Sequence, residues 1–270
     1  MVLVKAIKDL DRVLRGEKTR LTDLRDGTVD VSFPGLTSLI MILGAISGMC
    51  VGAFALFRDP PAFQQLIASS VKIPALFLLT LLITFPSLYV FNALVGSRLR
   101  LVALSKLLIA SLGVTVSLTA AFGPIVAFFS VSTTSYPFMV LLNVVVYAIA
   151  GVLGLYFLLQ TLHRITSLDH IDPQPRKPDA PIHGPFLEGE SPPPPLRAPM
   201  GALERLEGLV LSGHVKTVFR TWVVVFALVG AQMSWVLRPF IGDPETPFAW
   251  FRPRGSNFFS AVFNALVNLF

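Results

Sequence analysis

The stretch TWVVVFALVGAQMSWVLRPF, residues 221–240, decides the fold class. Residues 221–237 carry no charge and, at about 1.5 Å of rise per residue, are just long enough to cross the hydrocarbon core of a bilayer as a helix. Trp222 and Trp235 lie near the two ends, at the depth where amphipathic rings are common, and Arg220 and Arg238 flank them. The stretch therefore predicts a transmembrane helix.

The whole chain has the composition of a membrane protein. Of its 270 residues, 53% are hydrophobic and 14% are charged, and the mean hydropathy is +0.70, which is too apolar for an ordinary soluble domain. Four more apolar stretches are long enough to span a bilayer: residues 33–57, 73–95, 105–130 and 136–162. We predict an all-α polytopic membrane bundle of five transmembrane helices, with amphipathic helices at the N- and C-termini.

Composition also divides the chain into segments. Residues 1–32 read as a cytoplasmic amphipathic segment, 33–164 as a four-helix membrane bundle, 165–200 as a Pro-rich cytoplasmic linker, 201–240 as a short helix and the fifth span, and 241–270 as an outward-facing aromatic tail. Ten of the 21 prolines lie between residues 173 and 199. A tract of this kind cannot bury a core, so we expect an extended linker there.

Both ends of the chain show amphipathic helical patterns. Over residues 2–15 the apolar side chains fall on one side, and the helix either lies in the headgroup plane or packs on the protein; these side chains are Leu3, Ile7, Leu10 and Leu14. At the other end Ser256 is a candidate cap for a closing helix with a thin polar stripe: Asn257, Ser260, Asn264 and Asn268. A helix of about 14 residues is too short to span, so it should lie in the interface, re-enter the membrane or dock on the bundle.

Small residues recur four apart in two of the spans. Gly44, Gly48 and Gly52 lie on one face of the first span, and Ala150 and Gly154 lie on one face of the fourth. Such faces let a second helix approach closely, because no large side chain separates the two backbones. We interpret both faces as helix-packing contacts within the bundle; contact with a partner subunit or with a second copy is the alternative.

Polar groups inside the spans are few. With the boundaries above, the spans contain no Asp, Glu or His and no Lys or Arg away from their ends, which argues against a proton-coupled carrier. Asn92, Asn143 and Gln232 are candidates for a polar site or, more simply, for hydrogen bonds between helices. The hydroxyls at positions 111, 115, 117 and 119 of the third span either line a wet path or bond to backbone carbonyls.

No cofactor, metal or catalytic site is expected. The single cysteine, Cys50, can form neither an intramolecular disulfide nor a Cys-based zinc site, and all four histidines lie outside the spans. No hydrolase, Walker or dinucleotide-binding motif occurs in a usable context. The net charge of +6 does not indicate nucleic acid, because the basic residues flank the spans and are mixed with acidic ones.

The distribution of Lys and Arg indicates an orientation. With the N-terminus inside, the cytoplasmic segments hold 7, 3 and 7 basic residues and the outer segments hold 2, 0 and 3. Seventeen against five fits the positive-inside rule, so we expect the linker in the cytoplasm and the tail outside. The candidate contacts on the outer face are then Arg238, Trp250, Arg252 and Arg254.

Two stretches carry a resemblance to a known group of proteins: FPSLYVFNALVGSR at residues 85–98 and GAQMSWVLRPFIG at residues 230–242. With Phe251-Arg252 and Asn257-Phe258-Phe259 they resemble an uncharacterised family of bacterial five-span membrane proteins. That family is loosely similar to Yip1-type proteins in size and span count. The resemblance implies the inner membrane of a bacterium and carries no activity with it.

The sequence contains many helix-packing patterns and few residues that could carry out catalysis or transport, and the expected function follows from this difference. We expect a non-enzymatic subunit or scaffold of a membrane protein complex, in contact with membrane lipid and with other integral membrane subunits or copies of itself. The alternative is a homo-oligomeric channel or permease, or a lipid-handling membrane protein. Catalysis is not expected in either case.

Overall fold

The computed structural model describes residues 2–14, 33–57, 59, 61–94, 101–171, 202–253 and 255–269. These residues form helices and no strand: α1 (Val2–Leu14), α2 (Phe33–Gly52), α3 (Phe63–Leu94), α4 (Leu101–Ser132), α5 (Tyr136–Ile171), α6 (Ala202–Leu237) and α7 (Phe258–Val267), with a 3-10 turn (Ala53–Leu56) continuing α2. Five of the helices are long and apolar enough to cross a membrane: Phe33–Leu56, Phe63–Ser87, Ser105–Ser132, Tyr136–Thr161 and Arg220–Leu237. The predicted all-α, five-span fold is confirmed.

α2 lies at the centre of the bundle, between α3 and α4. Its glycines make the close approach to α3 possible. A Cβ on Gly48 would lie 2.6 Å from the Cα of Ser70, which is closer than real side chains come, and Gly44 and Gly52 also face α3. The small-residue face of the first span therefore packs inside the chain.

α5 packs on α4 through the other small-residue face. Ala150 is fully buried, and the Oγ of Ser111 on α4 donates to the carbonyl oxygen of Gly154 at 2.7 Å. A Cβ on Gly154 would overlap the hydroxyl of Thr115. These contacts too lie within the chain.

The bundle has two ends, which we name by the segments found there. The tail end holds the α2–α3 and α4–α5 connections and residues 238–257, and the linker end holds α1 and the opposite ends of the spans. α6 is peripheral and packs mainly on α3. Of its apolar window only 11% is buried inside the chain, against 50% for the first span.

α1 docks on α2 and α4 at the linker end. Ala6, Asp9 and Leu10 are buried in this contact, whereas Ile7 and Leu14 are about half exposed. Of the two alternatives for this helix, the structure shows packing on the protein. The predicted apolar face is wrong in part, because the buried side chains include Ala6 and Asp9 while Ile7 and Leu14 face outward.

Two predicted boundaries are wrong. The second span begins at Phe63 rather than at residue 73, and α6 is one continuous helix from Ala202 rather than a short helix and a span. The fourth span, Tyr136–Thr161, agrees with the prediction, and its helix continues beyond the span to Ile171. Residues 63–72 contain five polar side chains, which hide a helix from hydropathy alone: Gln64, Gln65, Ser69, Ser70 and Lys72. Residues 172–200 of the predicted linker lie outside the described residues.

Candidate functional site

A cavity of about 840 Å³ lies between α3, α5 and α6. Its walls are largely apolar side chains of the spans, among them Leu81, Val144 and Phe226. Trp222 and Arg238 line it at the two ends of the α6 wall and are about 24 Å apart at 1.5 Å per residue. The cavity therefore follows the apolar part of α6 for most of its length.

Trp222 closes the cavity at the linker end. Its side chain is fully buried, and Nε1 donates to the Oγ of Ser87 at 3.2 Å and to the carbonyl oxygen of Thr84 at 3.4 Å. The ring is buried against α3, where the indole N–H finds acceptors, and it packs 5.3 Å from the ring of Phe226. The expected interfacial depth stays a prediction.

The segment after α6 is docked into the tail end of the bundle. Ile241 is buried in a cluster that includes Val51 and Met139. Gly242 has a φ of +83°, and a Cβ at this position would lie 2.8 Å from the Cγ of Gln65. Both the backbone conformation and the close contact require glycine here.

Three polar side chains of α3 hold this segment by its carbonyl oxygens, and we call them the α3 clamp: Gln65, Ser69 and Lys72. Their spacing of four and three residues places them on one helix face. The Nε2 of Gln65 donates to the carbonyl oxygens of Pro239 and Phe240 at 3.0 and 2.9 Å. Ser69 donates to Phe240 as well. The tail is therefore bound through its backbone.

Lys72 lies inside the second span, about 14 Å from the start of α3 at 1.5 Å per residue. It is 3% exposed, and its Nζ donates to the carbonyl oxygens of Pro239, at 3.1 Å, and of Trp250. The same nitrogen lies 5.9 Å from the ring centroid of Trp250 and 5.2 Å from that of Phe251. Carbonyls and aromatic faces thus replace water around the charge. The expectation of no Lys away from the span ends is wrong.

Two arginines line the cavity at the tail end. The guanidinium carbon of Arg238 lies 3.2 Å from the ring centroid of Trp235, and Nη2 donates to the carbonyl oxygen of Pro253 at 2.5 Å. Burial, and after it the positive charge of Arg252, lowers the pKa of Arg238. Arg252 forms an ion pair with Asp243, with Nη1 and Oδ2 3.5 Å apart. The cavity therefore ends in a charged cluster.

Asn143 supplies a polar group to the α5 wall of the cavity. Its side chain is 7% exposed; Nδ2 donates to the carbonyl oxygen of Met139 at 2.8 Å, and Oδ1 is buried with no hydrogen-bond partner. Gln232 is half-buried and is not among the described residues of the cavity wall. The side chain of Asn92 lies outside the described residues. The predicted polar site is thus represented in the cavity by Asn143.

α7 covers the cavity against α5 and α6. Asn264 and Asn268, from the predicted polar stripe, line the cavity, whereas Phe259 and Phe263 are more than half exposed on the other side. Of the three alternatives for this helix, the structure shows docking on the bundle. Its polar side faces inward, towards the cavity.

The cap of α7 differs from the predicted one. The side chain of Asn257 accepts from the backbone N–H of Ser260 at 2.9 Å. Ser256 acts through its carbonyl oxygen, which accepts from the Nε1 of Trp235 at 2.5 Å. Asn257 is the cap because the helix begins at Phe258, which leaves Ser256 one residue before the N-cap position. The bond from Trp235 ties the start of α7 to the end of α6.

The hydroxyls of the third span bond to backbone carbonyls. Ser111 and Thr115 line the cavity, yet their protons are already donated. The four bonds run from Ser111 to Gly154 (2.7 Å), from Thr115 to Ser111 (3.1 Å), from Ser117 to Gly113 (2.6 Å) and from Thr119 to Val116 (2.8 Å). This arrangement favours helix packing over a wet path.

The candidate outer-face contacts come together at the tail end. Arg238 and Arg252 line the cavity, and the carbonyl of Trp250 accepts from Lys72. The Trp250 side chain is 49% exposed. Arg254 lies outside the described residues. Sequence reasoning did not find the α3 clamp or the cavity, although the spacing of the clamp residues on one helix face was a usable signal.

Comparison with known proteins found no match: no family model, no curated protein and no solved structure is similar to this chain.

Proposed function

We propose that the protein is a non-enzymatic, lipid-handling membrane protein that binds an amphiphile in the cavity between α5 and α6. The observation that carries this proposal is the cavity itself, about 840 Å³ of mostly apolar space beside a peripheral span. Its volume lies within the range of roughly 300–1,000 Å³ that small-molecule sites occupy. Its extent along α6, from Trp222 to Arg238, suits a chain-like molecule.

The physical argument is that apolar walls favour an apolar occupant. Such walls bind water poorly, whereas an apolar molecule gains dispersion contacts with them. An acyl chain supplies those contacts and needs no hydrogen bonds. Because the walls belong to spans, the surrounding hydrocarbon layer is the natural source of the chain. The groups at the tail end would then meet a headgroup.

The test is lipid retention by the full chain purified in a non-ionic detergent. Gly151 lines the cavity, and a Cβ there meets nothing within 4 Å, so Gly151→Phe fills the cavity without a clash at its base. The matched control is Val145→Phe, on the same helix at a side chain that is 54% exposed. We expect native mass spectrometry to show less bound lipid for Gly151→Phe alone. Equal retention by both variants would contradict the proposal.

A second candidate function is supported by the exposure of α6. Only 11% of its apolar window is buried, so a helix of another subunit or of a second copy has a free surface to pack on. This candidate keeps the expected role as a subunit of a membrane complex, with α6 rather than the α2 glycines as the contact. It predicts a complex of defined stoichiometry that dissociates when Val224, which is 57% exposed, is changed to Arg. A lipid-loaded monomer would count against it.

We further propose the inner membrane of a bacterium, with the N-terminus in the cytoplasm. With Lys72, Lys106 and Arg220 counted within the observed spans, the remaining basic residues divide 15 inside to 4 outside, which supports the orientation by the positive-inside rule. In a Cys50→Ser background, Gly255→Cys should react with a membrane-impermeant maleimide added to intact cells. Labelling only after the membrane is broken would show that position 255 faces the cytoplasm, which contradicts the proposed orientation.

A further inference from the structure

The tail end of the cavity carries an excess of positive charge. Arg238 and Arg252 line it together with one anion, Asp243, and Lys72 lies close by but outside the lining. The ion pair seen among the described residues joins Arg252 to Asp243. The other described acidic group of the tail, Glu245, is exposed, and its backbone N–H donates to Asp243 at 3.0 Å.

The remaining contacts of these cations are with neutral groups. In the described part of the chain, Lys72 and Arg238 contact carbonyl oxygens and aromatic rings rather than a carboxylate. The second donor group of Arg252 binds the hydroxyl of Thr246. The Nε atoms of Arg238 and Arg252 are buried without a hydrogen-bond partner. The described residues therefore leave part of the hydrogen-bonding capacity of both guanidinium groups unused.

We infer that the cavity selects an amphiphile with an anionic headgroup, a phosphate or a carboxylate, held at the tail end by Arg238 and Arg252. This inference rests on the proposed binding of an acyl chain and adds the chemistry of the headgroup. The chain lies along α6 between Trp222 and Arg238, and the headgroup meets both guanidinium groups where they line the cavity.

Electrostatics supports an anion at this position. Positive charge beside apolar walls is poorly solvated, and an anion that binds there compensates it more strongly than it would in water. A guanidinium presents its N–H donors in a fixed fork that fits carboxylate and phosphate oxygens, which favours arginine over lysine as the headgroup ligand.

The polar groups along the cavity fit the same ligand. Asn143 lines the cavity as a neutral side chain that is 7% exposed. Asn264 and Asn268 of α7 line the cavity as well. The groups that bind anions are thus confined to the tail end, while the rest of the wall is apolar or neutral.

The test uses lipids that share their acyl chains and differ in the headgroup. The full chain in non-ionic detergent is offered phosphatidic acid, phosphatidylglycerol, phosphatidylcholine and diacylglycerol in competition, and bound species are counted by native mass spectrometry. We expect the two anionic lipids to be retained at least about tenfold over the zwitterionic and neutral ones, because charge-assisted hydrogen bonds are among the strong ones.

Four variants locate the preference. Arg238→Gln should reduce the anionic preference about tenfold and leave diacylglycerol binding unchanged, whereas Arg238→Lys should retain part of it. Asp243→Asn should increase the preference, because it releases Arg252 from its ion pair. The matched control Arg12→Gln removes an exposed charge on α1, at the other end of the bundle, and should change nothing.

The outcomes separate this inference from the proposed function. If Gly151→Phe reduces lipid binding but the wild-type chain binds all headgroups equally, the inference is overturned and the proposed function stands. Binding that Gly151→Phe does not alter overturns both. An equal loss of preference in Arg12→Gln and Arg238→Gln also overturns the inference, since general surface charge would explain it. Competition by inorganic phosphate as strong as by phosphatidic acid would show a free-anion site and overturn the headgroup assignment.

Discussion

Two helix pairs in this protein use glycine in opposite ways. Between α2 and α3, Gly48 brings two backbones into contact, so that not even a methyl group fits. On the cavity wall of α5, Gly151 faces open space, with nothing within 4 Å of the position where a Cβ would be. Because lipid is as apolar as these helices, the hydrophobic effect does not drive them together in a membrane. Close van der Waals packing therefore holds α2 against α3. The open space beside Gly151, between α5 and α6, leaves room for a lipid molecule.

The largest effect is expected where the contact is tightest. Gly48→Leu forces the backbone of α3 away from α2 and should destabilise the fold by about 3 kcal/mol or more. Thermal unfolding of the purified chain in detergent measures the loss. The matched control is Gly151→Leu, the same substitution at the open position. Equal stability of these two variants would contradict the contrast between the helix pairs.

The next effect concerns the docked tail. Gly242→Ala places a side chain at a φ of +83° and against Gln65, which should cost about 2 kcal/mol. Thermal unfolding is again the measurement. Gly255→Ala is the control, because a Cβ at that position meets nothing within 4 Å. A neutral Gly242→Ala would mean that the tail does not hold this conformation.

A smaller and more local effect is expected at the α3 clamp. Lys72→Met keeps most of the side-chain volume and removes the donor to the carbonyls of Pro239 and Trp250. Part of this loss is offset because a buried charge is removed, so the global cost should be about 1 kcal/mol. The tail should be cleaved faster by protease than the rest of the chain. Lys8→Met, at an exposed position on α1, should leave the cleavage rate unchanged.

The smallest effect on stability is expected in the cavity. Gly151→Leu should change the free energy of unfolding by less than about 0.5 kcal/mol, because the added side chain enters open space and gains contacts there. Helix propensity also favours leucine over glycine. The effect of Gly151→Leu should appear as reduced lipid retention instead. A strongly destabilised Gly151→Leu would show that the cavity closes in the membrane.

The spans could be predicted from the sequence because they follow from local composition. The first, third, fourth and fifth were placed within about two residues of their observed ends. The second was shifted, since Gln65, Ser69 and Lys72 resemble a loop until the tail that satisfies them is in place. That tail lies more than 160 residues further along the chain. A contact between residues so far apart cannot be predicted from the sequence pattern around either of them.

The candidate site was less predictable for the same reason. Arg238 and Arg252 were noticed as basic residues near a span end, and Asn143 as a polar group in need of a partner. Their common position at one cavity depends on how α5 and α6 diverge. A gap between helices depends on how the helices pack in three dimensions. The sequence alone does not show whether Gly151 faces a neighbouring helix or open space.

The α3 clamp has a consequence for how the C-terminal region tolerates change. Gln65, Ser69 and Lys72 bind main-chain oxygens, so these hydrogen bonds do not depend on the side chain at position 240 or 250, while the ring of Trp250 adds a contact to Lys72. The number of residues between those oxygens cannot change in the same way. Deleting one residue from 243–249 would move the carbonyl at position 250 away from Lys72 and shift Arg252 relative to Arg238. That loop therefore tolerates a change of side chain better than a change of length.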